Sequence, residues 1–402
     1  MAWNDVVAVE QRMFYYLAFF ALFISCSVAI SNIFLALAAL GMVHRLYLQP
    51  HDWRRMLPSR GILVAIGCLW GAILLAVVFS PHPVMSVRAF ADYYLYRLLP
   101  LPMILFLVRS KREIMILTVC VITSVLINGA VGLEQTVKNI QAPVWRNSGF
   151  IFVMHQASIL SVTALALFAG LLRVPRRRCR WAIGIALLLV LAALVVNGTR
   201  GAWLGTVVGA VIIAMLGAGC RLKAAVSLGV GVSLLAGIML AYPQSNFVQR
   251  LHSITQSNEQ SNTERRLVWG SAIQMFEDHP VLGVGMAQFG DMYPQYISPA
   301  AKEPGLRHAH NNFLHVLAEA GFVGFLAFVG FVGYILYFSI HGWLATKTIA
   351  YLVVLADLLG VMLHGLTEYT WGATLTMKFF WLVMGLSLAW IRLARDTEQQ
   401  ER

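Results

Sequence analysis

Residues 181–217 read WAIGIALLLVLAALVVNGTRGAWLGTVVGAVIIAMLG, and this stretch decides the class of fold. It contains two apolar runs, 181–197 and 201–217, on either side of a short polar turn that carries Arg200. A helix needs roughly 20 apolar residues to cross about 30 Å of hydrocarbon, and slightly shorter runs also suffice. The stretch therefore predicts two membrane helices that are joined by a tight turn at one surface of the membrane.

The same pattern recurs along the whole chain. Of its 402 residues, 59% are hydrophobic and only 12% are charged, which is far more apolar than a soluble globular protein. We therefore predict an all-α polytopic integral membrane protein with about twelve transmembrane helices. The predicted spans are 13–30, 31–48, 61–80, 94–108, 113–132, 150–172, 181–197, 201–217, 222–241, 312–338, 345–365 and 373–392.

The distribution of Lys and Arg predicts how these spans are oriented. The short connections on one side of the membrane are rich in basic residues, as in the cluster between Arg173 and Arg180. Because positive charge gathers on the cytoplasmic side of membrane proteins, both termini are expected in the cytoplasm. The formal net charge of +12 is thus attributed to topology, and no nucleic-acid partner is expected.

This topology divides the chain into three regions. Residues 1–241 would form membrane helices 1–9, residues 242–311 a large outer segment, and residues 312–402 helices 10–12 with a cytoplasmic tail. The five cysteines fall within spans or in loops on the cytoplasmic side. Neither a disulfide framework nor a metal framework is expected from them.

Arginine is unusually frequent on the outer side. Eight of the eleven Lys and Arg residues assigned there are arginine, although outward positive charge opposes the topological bias. A guanidinium group presents a fixed fork of donors that suits phosphate and carboxylate oxygens. Pairing with a lipid headgroup or a nearby carboxylate is the alternative for each of them. The candidates for binding an anionic ligand are Arg88, Arg146, Arg200, Arg265 and Arg266.

Arg200 is the strongest of these candidates because glycines flank it in the outer turn. Gly198 and Gly201 would allow the backbone to approach a ligand closely. A turn that opens a helix also directs free N–H groups at a bound anion. We therefore expect Arg200 to contact the ligand.

The outer segment is predicted to contain one amphipathic helix. Residues 261–264 (Ser-Asn-Thr-Glu) match a capping box, so the helix is expected to start near Asn262 and to end at about Asp278, before a His-Pro pair. Arg265 and Arg266 would lie in its first turn, where a bound anion offsets their unfavourable interaction with the helix dipole. The predicted buried stripe is Leu267, Ile273 and Phe276.

Residues 281–290 (Val-Leu-Gly-Val-Gly-Met-Ala-Gln-Phe-Gly) contain glycines at a spacing that invites comparison with a phosphate loop. The strand, the helix and the Lys-Ser/Thr pair of such a loop are missing from this sequence. Tight turns against the membrane helices are the favoured interpretation.

Histidines concentrate at the end of the outer segment, in residues 308–312 (His-Ala-His-Asn-Asn). Imidazole titrates near neutral pH and suits the role of a general base. His308 and His310 are two residues apart in a predicted turn, and the sequence does not choose between them. His315 falls inside the next helix, which favours a packing role. Further ionisable candidates of undetermined depth lie near the outer end of the eleventh span, namely His364, Glu368 and Tyr369.

Together these motifs resemble the bacterial O-antigen ligase and polymerase superfamily. The resemblance rests on His310-Asn311 followed by Gly321-Phe-Val-Gly324, and on Arg200 after an outer turn. It also rests on residues 265–269 (Arg-Arg-Leu-Val-Trp), which lead to the glycines of residues 276–285. The spacing of histidine, asparagine and glycine is most similar to that of the ligases.

The resemblance implies a GT-C-like glycosyltransferase in the bacterial inner membrane, with residues 242–311 as a periplasmic loop domain and the active site facing the periplasm. Ligases transfer O-antigen polysaccharide from undecaprenyl diphosphate to a sugar of lipid A core during lipopolysaccharide biosynthesis. The implied partners are the undecaprenyl diphosphate-linked O-antigen donor, the lipid A core acceptor and membrane lipids. The implied mechanism inverts the anomeric centre and uses no cofactor.

The residues agree with such chemistry, because the outer acids are scattered and include no Asp-x-Asp pair, which favours metal-independent transfer. His310 or His308 would act as general base on the acceptor sugar, and Asn311 would orient the histidine or a sugar hydroxyl. The diphosphate would be bound by Arg200, Arg265 and Arg266, with Arg88 and Arg146 as second-rank candidates.

Two further functions stay open at this level. An O-antigen polymerase or a protein O-oligosaccharyltransferase of the same superfamily would use the same donor with another acceptor. A lipid-linked sugar transporter would need no base, but transporters usually place their site near the membrane midplane. The polar residues of this chain gather at the outer face, which favours the enzymes.

Overall fold

The computed structural model describes residues 2–138, 146–217 and 259–400, together with residues 248, 249, 252, 253 and 256. Within these residues the chain is helical and contains no strand. The α-helices are α1 Ala2–Phe23, α2 Val28–Leu48, α3 Arg60–Val78, α4 Pro83–Phe90, α5 Pro100–Leu107, α6 Lys111–Lys138, α7 Val153–Arg173, α8 Arg177–Asn197, α9 Arg200–Gly217, α10 Gln260–Asp278, α11 Phe289–Tyr296, α12 Asn312–Thr346, α13 Ile349–His364 and α14 Thr374–Gln400. A 3₁₀ helix covers Pro50–Met56, and a π-helical turn covers Ala91–Tyr96.

The described helices confirm a polytopic membrane protein of the all-α class. Nine of them are long and apolar enough to cross a membrane, namely α1, α2, α3, α6, α7, α8, α9, α12 and α14. Helix α13 is also apolar but has only 16 residues. The total of twelve spans and the outer location of residues 242–311 stay predictions.

Two predicted spans need separate comment. The span at 94–108 stays a prediction, because these residues form two elements, the end of the π-helical turn and helix α5. The eight residues of α5 rise about 12 Å, so α5 by itself is too short for the hydrocarbon core. Arg97 and Pro100 interrupt the apolar pattern, and the buried Arg97 Nη1 donates to the Gly372 carbonyl at 2.7 Å. The other span, 222–241, lies outside the described residues.

Helix α13 lies at the centre of the bundle and packs against α7, α9, α12 and α14. Glycines allow these helices to approach closely. A Cβ atom at Gly360 would lie 2.6 Å from Val162 Cγ2, and one at Gly205 would lie 3.0 Å from Leu363 Cβ. The carboxyl end of α13 is therefore held tightly between α7 and the start of α9.

Helix α12 is broken at Gly321, where the backbone has φ 60° and ψ −160°. Residues 280–285 fill the break: the Val284 amide donates to the Ala318 carbonyl at 2.9 Å, and the Phe322 amide donates to the Pro280 carbonyl at 2.8 Å. A side chain at Gly321 would overlap the backbone of Val281. The glycine-rich stretch thus forms tight turns against a membrane helix, as the sequence indicates, and Gly321 is needed for a positive φ and for close contact.

Helix α10 has nearly the predicted bounds but a different cap and a different buried face. Its N-cap is Glu259, whose carboxylate accepts from the Asn262 amide at 3.0 Å, so the capping box predicted from Ser261 is wrong. The buried side chains include Val268, Ala272 and Met275, which pack with the start of α12 and with α11. The predicted stripe of Leu267, Ile273 and Phe276 is also wrong, and Ile273 is 42% exposed.

Candidate functional site

Two cavities adjoin where α7, α9, α10 and the loops next to α12 and α13 meet. The arginine cavity, of about 210 Å³, is lined by Arg146, Thr199, Arg200, Asn262, Arg265 and His364 among others. The histidine cavity, of about 270 Å³, is lined by Tyr93, His155, Arg307, His308, His315 and Tyr369 among others. Met154 and Glu368 line both cavities, so the two spaces share a wall.

Arg200 is fixed at the first position of α9. Its Nη1 donates to the carbonyl and the hydroxyl of Ser253 at 2.9 and 2.7 Å, and its Nη2 donates to Glu259 at 3.0 Å. Only 11% of this side chain is exposed. Burial of Glu259 would raise the pKa of its carboxyl group, but the hydrogen bond and the charge of Arg200 outweigh burial and lower it. The guanidinium group is therefore held rigidly at the edge of the arginine cavity.

Arg265 reaches the same cavity from the second turn of α10. Its Nε donates to the Thr367 carbonyl at 3.0 Å, and its Nη1 donates to the Ser261 hydroxyl at 3.0 Å. The exposed Arg146 lies on the opposite side, with its Nη2 3.4 Å from Thr199 Oγ1. Three of the five predicted arginines are thus brought together around one space.

The other two predicted arginines lie elsewhere. Arg88 is exposed on α4, and Arg266 is exposed on α10 with its Nη2 3.5 Å from Thr263 Oγ1. Neither lines the arginine cavity or the histidine cavity. Arg266 follows Arg265 by one residue, and adjacent helical residues point about 100° apart, so only one of the pair faces the cavity.

His310 is paired with a buried carboxylate. Its Nδ1 lies 3.0 and 3.1 Å from the two oxygens of Glu368, and Glu368 is 6% exposed. Burial alone would raise the pKa of Glu368, but the hydrogen bond and charge of His310, together with the charge of His308, lower it to about 2. Glu368 is therefore ionised at neutral pH, and His310 donates its Nδ1 proton to it. The neutral imidazole then keeps a free lone pair on Nε2, as a general base requires.

His308 faces the histidine cavity beside His310, with 4.2 Å between the ring centroids. Its Nδ1 is 3.4 Å from the His310 amide, which donates to it. This assigns the proton of the neutral ring to Nε2, which makes His308 a donor toward a ligand. Burial, reinforced by the charge of His310, lowers the pKa of His308 to about 4, so the ring is neutral at pH 7.

Asn311 serves as a helix cap, and its side chain is fully used in that role. Its Oδ1 accepts from the amides of Phe313 and Leu314 at 2.9 and 3.1 Å, and its Nδ2 donates to the Leu366 carbonyl at 3.0 Å. These contacts tie residues 308–312 to the loop that carries Glu368. Asn311 thus orients His310 through the backbone and does not line either cavity.

His315 and Glu319 form the packed floor of the histidine cavity. The His315 ring lies 3.6 Å from the Tyr369 ring between centroids, and its Nε2 is 3.4 Å from Glu319. Glu319 accepts from the amides of Ala287 and Phe289 at 2.9 and 3.0 Å, which joins the glycine-rich turns to the cavity. His315 is 2% exposed, in keeping with the packing role that its position inside a helix suggests.

The same histidines and carboxylate could bind a cation. Ligand atoms of His308, His310 and Glu368 all lie within 4.8 Å of one another. Two imidazole nitrogens and a carboxylate suit Zn²⁺ among common ions. A metal ion would compete with the proton that His310 and Glu368 share, because both would bind the same nitrogen and oxygen atoms.

The sequence named Glu368 and His364 as ionisable candidates but did not link them to His308 and His310. Glu368 lies 58 residues after His310, so no local spacing connects the two. The available signal was their chemistry: residues 364–369 (His-Gly-Leu-Thr-Glu-Tyr) interrupt an apolar stretch with three ionisable groups. Such groups beside a membrane span need a partner or a function.

Comparison with known families gives one match. Residues 185–338 match the family described as O-antigen ligase. The matched region includes Arg200, Arg265, His308 and His310, whereas Glu368 lies beyond it. No curated protein matches the chain.

Proposed function

We propose that this protein is an O-antigen ligase of the bacterial inner membrane, a proposal supported by the match of residues 185–338 to the family described as O-antigen ligase. It would transfer O-antigen polysaccharide from undecaprenyl diphosphate to a sugar of lipid A core, on the periplasmic side. The observation that carries the proposal is the pairing of His310 with Glu368, because Glu368 lines both the arginine cavity and the histidine cavity.

The arginine cavity suits the diphosphate of the donor. Arg200 and Arg265 present guanidinium groups whose positions are fixed by carbonyl and carboxylate acceptors. Preorganised cations stabilise the negative charge that develops on a departing phosphate, and they do so best in a partly dry site. Leu204, which is 48% exposed on membrane helix α9, also lines this cavity, so the polyprenyl chain could leave it toward lipid.

The histidine cavity suits the acceptor sugar. Tyr93 and Tyr369 provide aromatic surface, and His308 provides a donor for a sugar hydroxyl. The acceptor hydroxyl would lose its proton to His310 Nε2 as its oxygen attacks the anomeric carbon of the donor glycan. The bond from that carbon to the diphosphate oxygen breaks in the same step, and undecaprenyl diphosphate leaves with the electron pair. Attack from the face opposite the diphosphate inverts the anomeric centre.

Glu368 would support this step in two ways. Its hydrogen bond keeps the proton of neutral His310 on Nδ1, which leaves Nε2 free to accept a proton. Its negative charge then stabilises the imidazolium ion formed during transfer, in the manner of the carboxylate in a serine-protease triad. No metal ion is needed in this scheme, because the histidine activates the acceptor and the arginines balance the leaving group.

The experiment is glycan transfer from an undecaprenyl diphosphate glycan to purified lipid A core, in detergent, with and without a chelator. Wild-type protein, His308→Ala, His310→Ala and the matched control His341→Ala would be compared. His341 is exposed on α12 and lines neither cavity. We expect transfer by the wild type and the control in both conditions, and loss in His310→Ala.

Other results would redirect the proposal. Chain growth on the lipid-linked donor without transfer to lipid A core would identify a polymerase, and transfer to a pilin-like acceptor would identify a protein O-oligosaccharyltransferase. Loss of wild-type activity in the chelator would assign a metal to His308, His310 and Glu368. Movement of donor lipid across liposomes without any glycan product would favour the transporter.

A further inference from the structure

His364 is a buried histidine that the proposed mechanism does not use. It is the last residue of α13, it is 0% exposed, and it lines the arginine cavity. Its Nε2 is buried and has no hydrogen-bond partner among the described residues. A buried nitrogen without a partner is unfavourable for stability, so it needs an explanation.

The other ring nitrogen of His364 has a well-defined partner on α7. Its Nδ1 lies 2.8 Å from the hydroxyl oxygen of Ser158, which is itself 1% exposed and lines the histidine cavity. The next polar atom near the Ser158 hydroxyl is the Met154 carbonyl, at 3.2 Å. The single hydrogen of the Ser158 hydroxyl therefore has two acceptors within reach, the Met154 carbonyl and Nδ1 of His364. When the hydroxyl donates to Nδ1, the proton of the neutral ring resides on Nε2, and an acceptor placed at Nε2 favours this tautomer.

The edge of the ring that carries Nε2 lies beside the start of α9. A Cβ atom at Gly201 would be 3.5 Å from His364 Cδ2, the carbon bonded to Nε2. Gly201 and Thr367 also line the arginine cavity, and Arg200 precedes Gly201 at the first position of the helix. The free backbone amides at a helix start favour an anion in the same place.

We propose that His364 is a further binding residue of the arginine cavity, and that its Nε2–H donates to an oxygen of the bound diphosphate. Ser158 is the corresponding positioning residue, because its hydroxyl holds the ring at Nδ1. The inference rests on the proposed function for the identity of the anion. His364 adds a neutral donor to the charged donors of Arg200 and Arg265.

This assignment also gives the wall between the two cavities a role. Ser158 faces the histidine cavity and His364 faces the arginine cavity, so one hydrogen bond connects the two spaces. A ligand that pulls on Nε2 will strengthen the Ser158 bond at Nδ1, because hydrogen bonds in a chain polarise one another. The donor diphosphate would thereby order the side of α7 that faces the acceptor.

The test uses two substitutions that separate the two ring nitrogens. His364→Gln places an amide near the position of Nε2, whereas His364→Asn places a shorter amide near Nδ1 and does not reach the cavity. Asp357→Asn is the matched control, because Asp357 is a buried polar residue of the same helix that lines neither cavity. Binding of undecaprenyl diphosphate to purified protein in detergent is measured, with undecaprenyl monophosphate and inorganic pyrophosphate as comparison ligands.

We expect His364→Asn to weaken binding of undecaprenyl diphosphate roughly tenfold or more, which is the usual effect of losing one hydrogen bond to a charged group. His364→Gln should stay within about threefold of the wild type, and Ser158→Ala should fall between the two. If His364→Asn weakens binding of inorganic pyrophosphate as much as binding of undecaprenyl diphosphate, the contact is with the diphosphate itself. If it weakens binding of the lipid alone, the contact is with a phosphate whose position is set by the polyprenyl chain.

If His364→Asn binds undecaprenyl diphosphate with wild-type affinity, the inference is overturned. It is also overturned if His364→Asn and His364→Gln lose affinity equally while their unfolding temperatures are unchanged. If His364→Asn does not fold, the Ser158→Ala and His364→Gln results decide. Because the readout is binding, it is independent of the acceptor. A protein that binds the diphosphate through His364 but never glycosylates lipid A core would refute the ligase proposal alone.

Discussion

The arginine cavity and the histidine cavity share a wall but are built in opposite ways. Around the arginine cavity, charged side chains come from separate segments, and each is held by acceptors at its rim, as Arg200 is by Ser253 and Glu259. In the histidine cavity His308 and His315 pack against Tyr369, and the carboxylates of Glu319 and Glu368 are almost fully buried. Under the proposed function, the arginine cavity would bind negative charge and the histidine cavity would hold the groups that move a proton.

This difference predicts that substitutions around the two cavities will have different kinetic signatures. Loss of charge around the arginine cavity should weaken both donor binding and turnover. Changes to the pair of His310 and the buried Glu368 should reduce turnover with little effect on binding.

The largest effect is expected from Glu368→Gln, which keeps the shape of the side chain but removes its charge. We expect kcat to fall by roughly 10³-fold with KM nearly unchanged, because the amide no longer selects the productive tautomer or stabilises the imidazolium ion. Steady-state kinetics of glycan transfer at saturating donor will measure the fall in kcat. A similar loss in donor affinity would show that Glu368 acts on the bound donor and not through His310.

Arg200→Lys should have the next largest effect. Lysine keeps the charge but cannot bond Ser253, Glu259 and a phosphate with one planar fork, so we expect a roughly 10²-fold fall in kcat/KM. The matched controls are Arg88→Lys and Arg266→Lys, which should stay within about twofold of the wild type because neither arginine lines a cavity. Near-normal transfer by Arg200→Lys would remove Arg200 from the site.

The pH dependence of transfer by His308→Gln distinguishes the roles of His308 and His310. The pKa of His308 is lowered to about 4, so this ring is already neutral at pH 5 and does not change its charge up to pH 8. The substitution should therefore lower kcat/KM by about the same factor, roughly tenfold, at every pH in that range. A pH profile that changes shape in His308→Gln would instead make His308 the group that titrates during catalysis.

The smallest effect is expected from Asn311→Ala, which removes the cap of α12. Loss of such a cap costs about 1 kcal/mol of stability, so the unfolding temperature should fall by a few degrees. Asn311→Asp should restore most of this stability, because a carboxylate oxygen also accepts from the capped amides. Full loss of transfer in both substitutions at normal stability would indicate direct contact with substrate.

Much of the fold follows from sequence pattern. Long apolar runs such as 181–197 and 201–217 predicted α8 and α9 within a few residues, because the hydrocarbon core requires helices of that length. At 94–108 the pattern predicted one helix, whereas the structure has a π-helical turn followed by the short, buried helix α5 beside the buried Arg97. Hydropathy reports burial in lipid or in protein and does not distinguish the two.

The sequence alone determined the residue types of the candidate site and several of its members. Arg200 was identified by its flanking glycines, and His308 and His310 by their position at the end of a polar segment. Gly321 was recognised only as part of a motif. These signals are local, because each depends on turn geometry or on the start of a helix that neighbouring residues specify.

Tertiary structure decided which of these residues lie together. It excluded Arg266 in favour of Arg265 by the direction each side chain takes from α10, and it paired His310 with Glu368 across 58 residues of chain. It also placed His364 against Ser158, 206 residues earlier in the sequence. Such pairs depend on how helices pack side by side, and that packing is a sum over many distant contacts that no local spacing encodes.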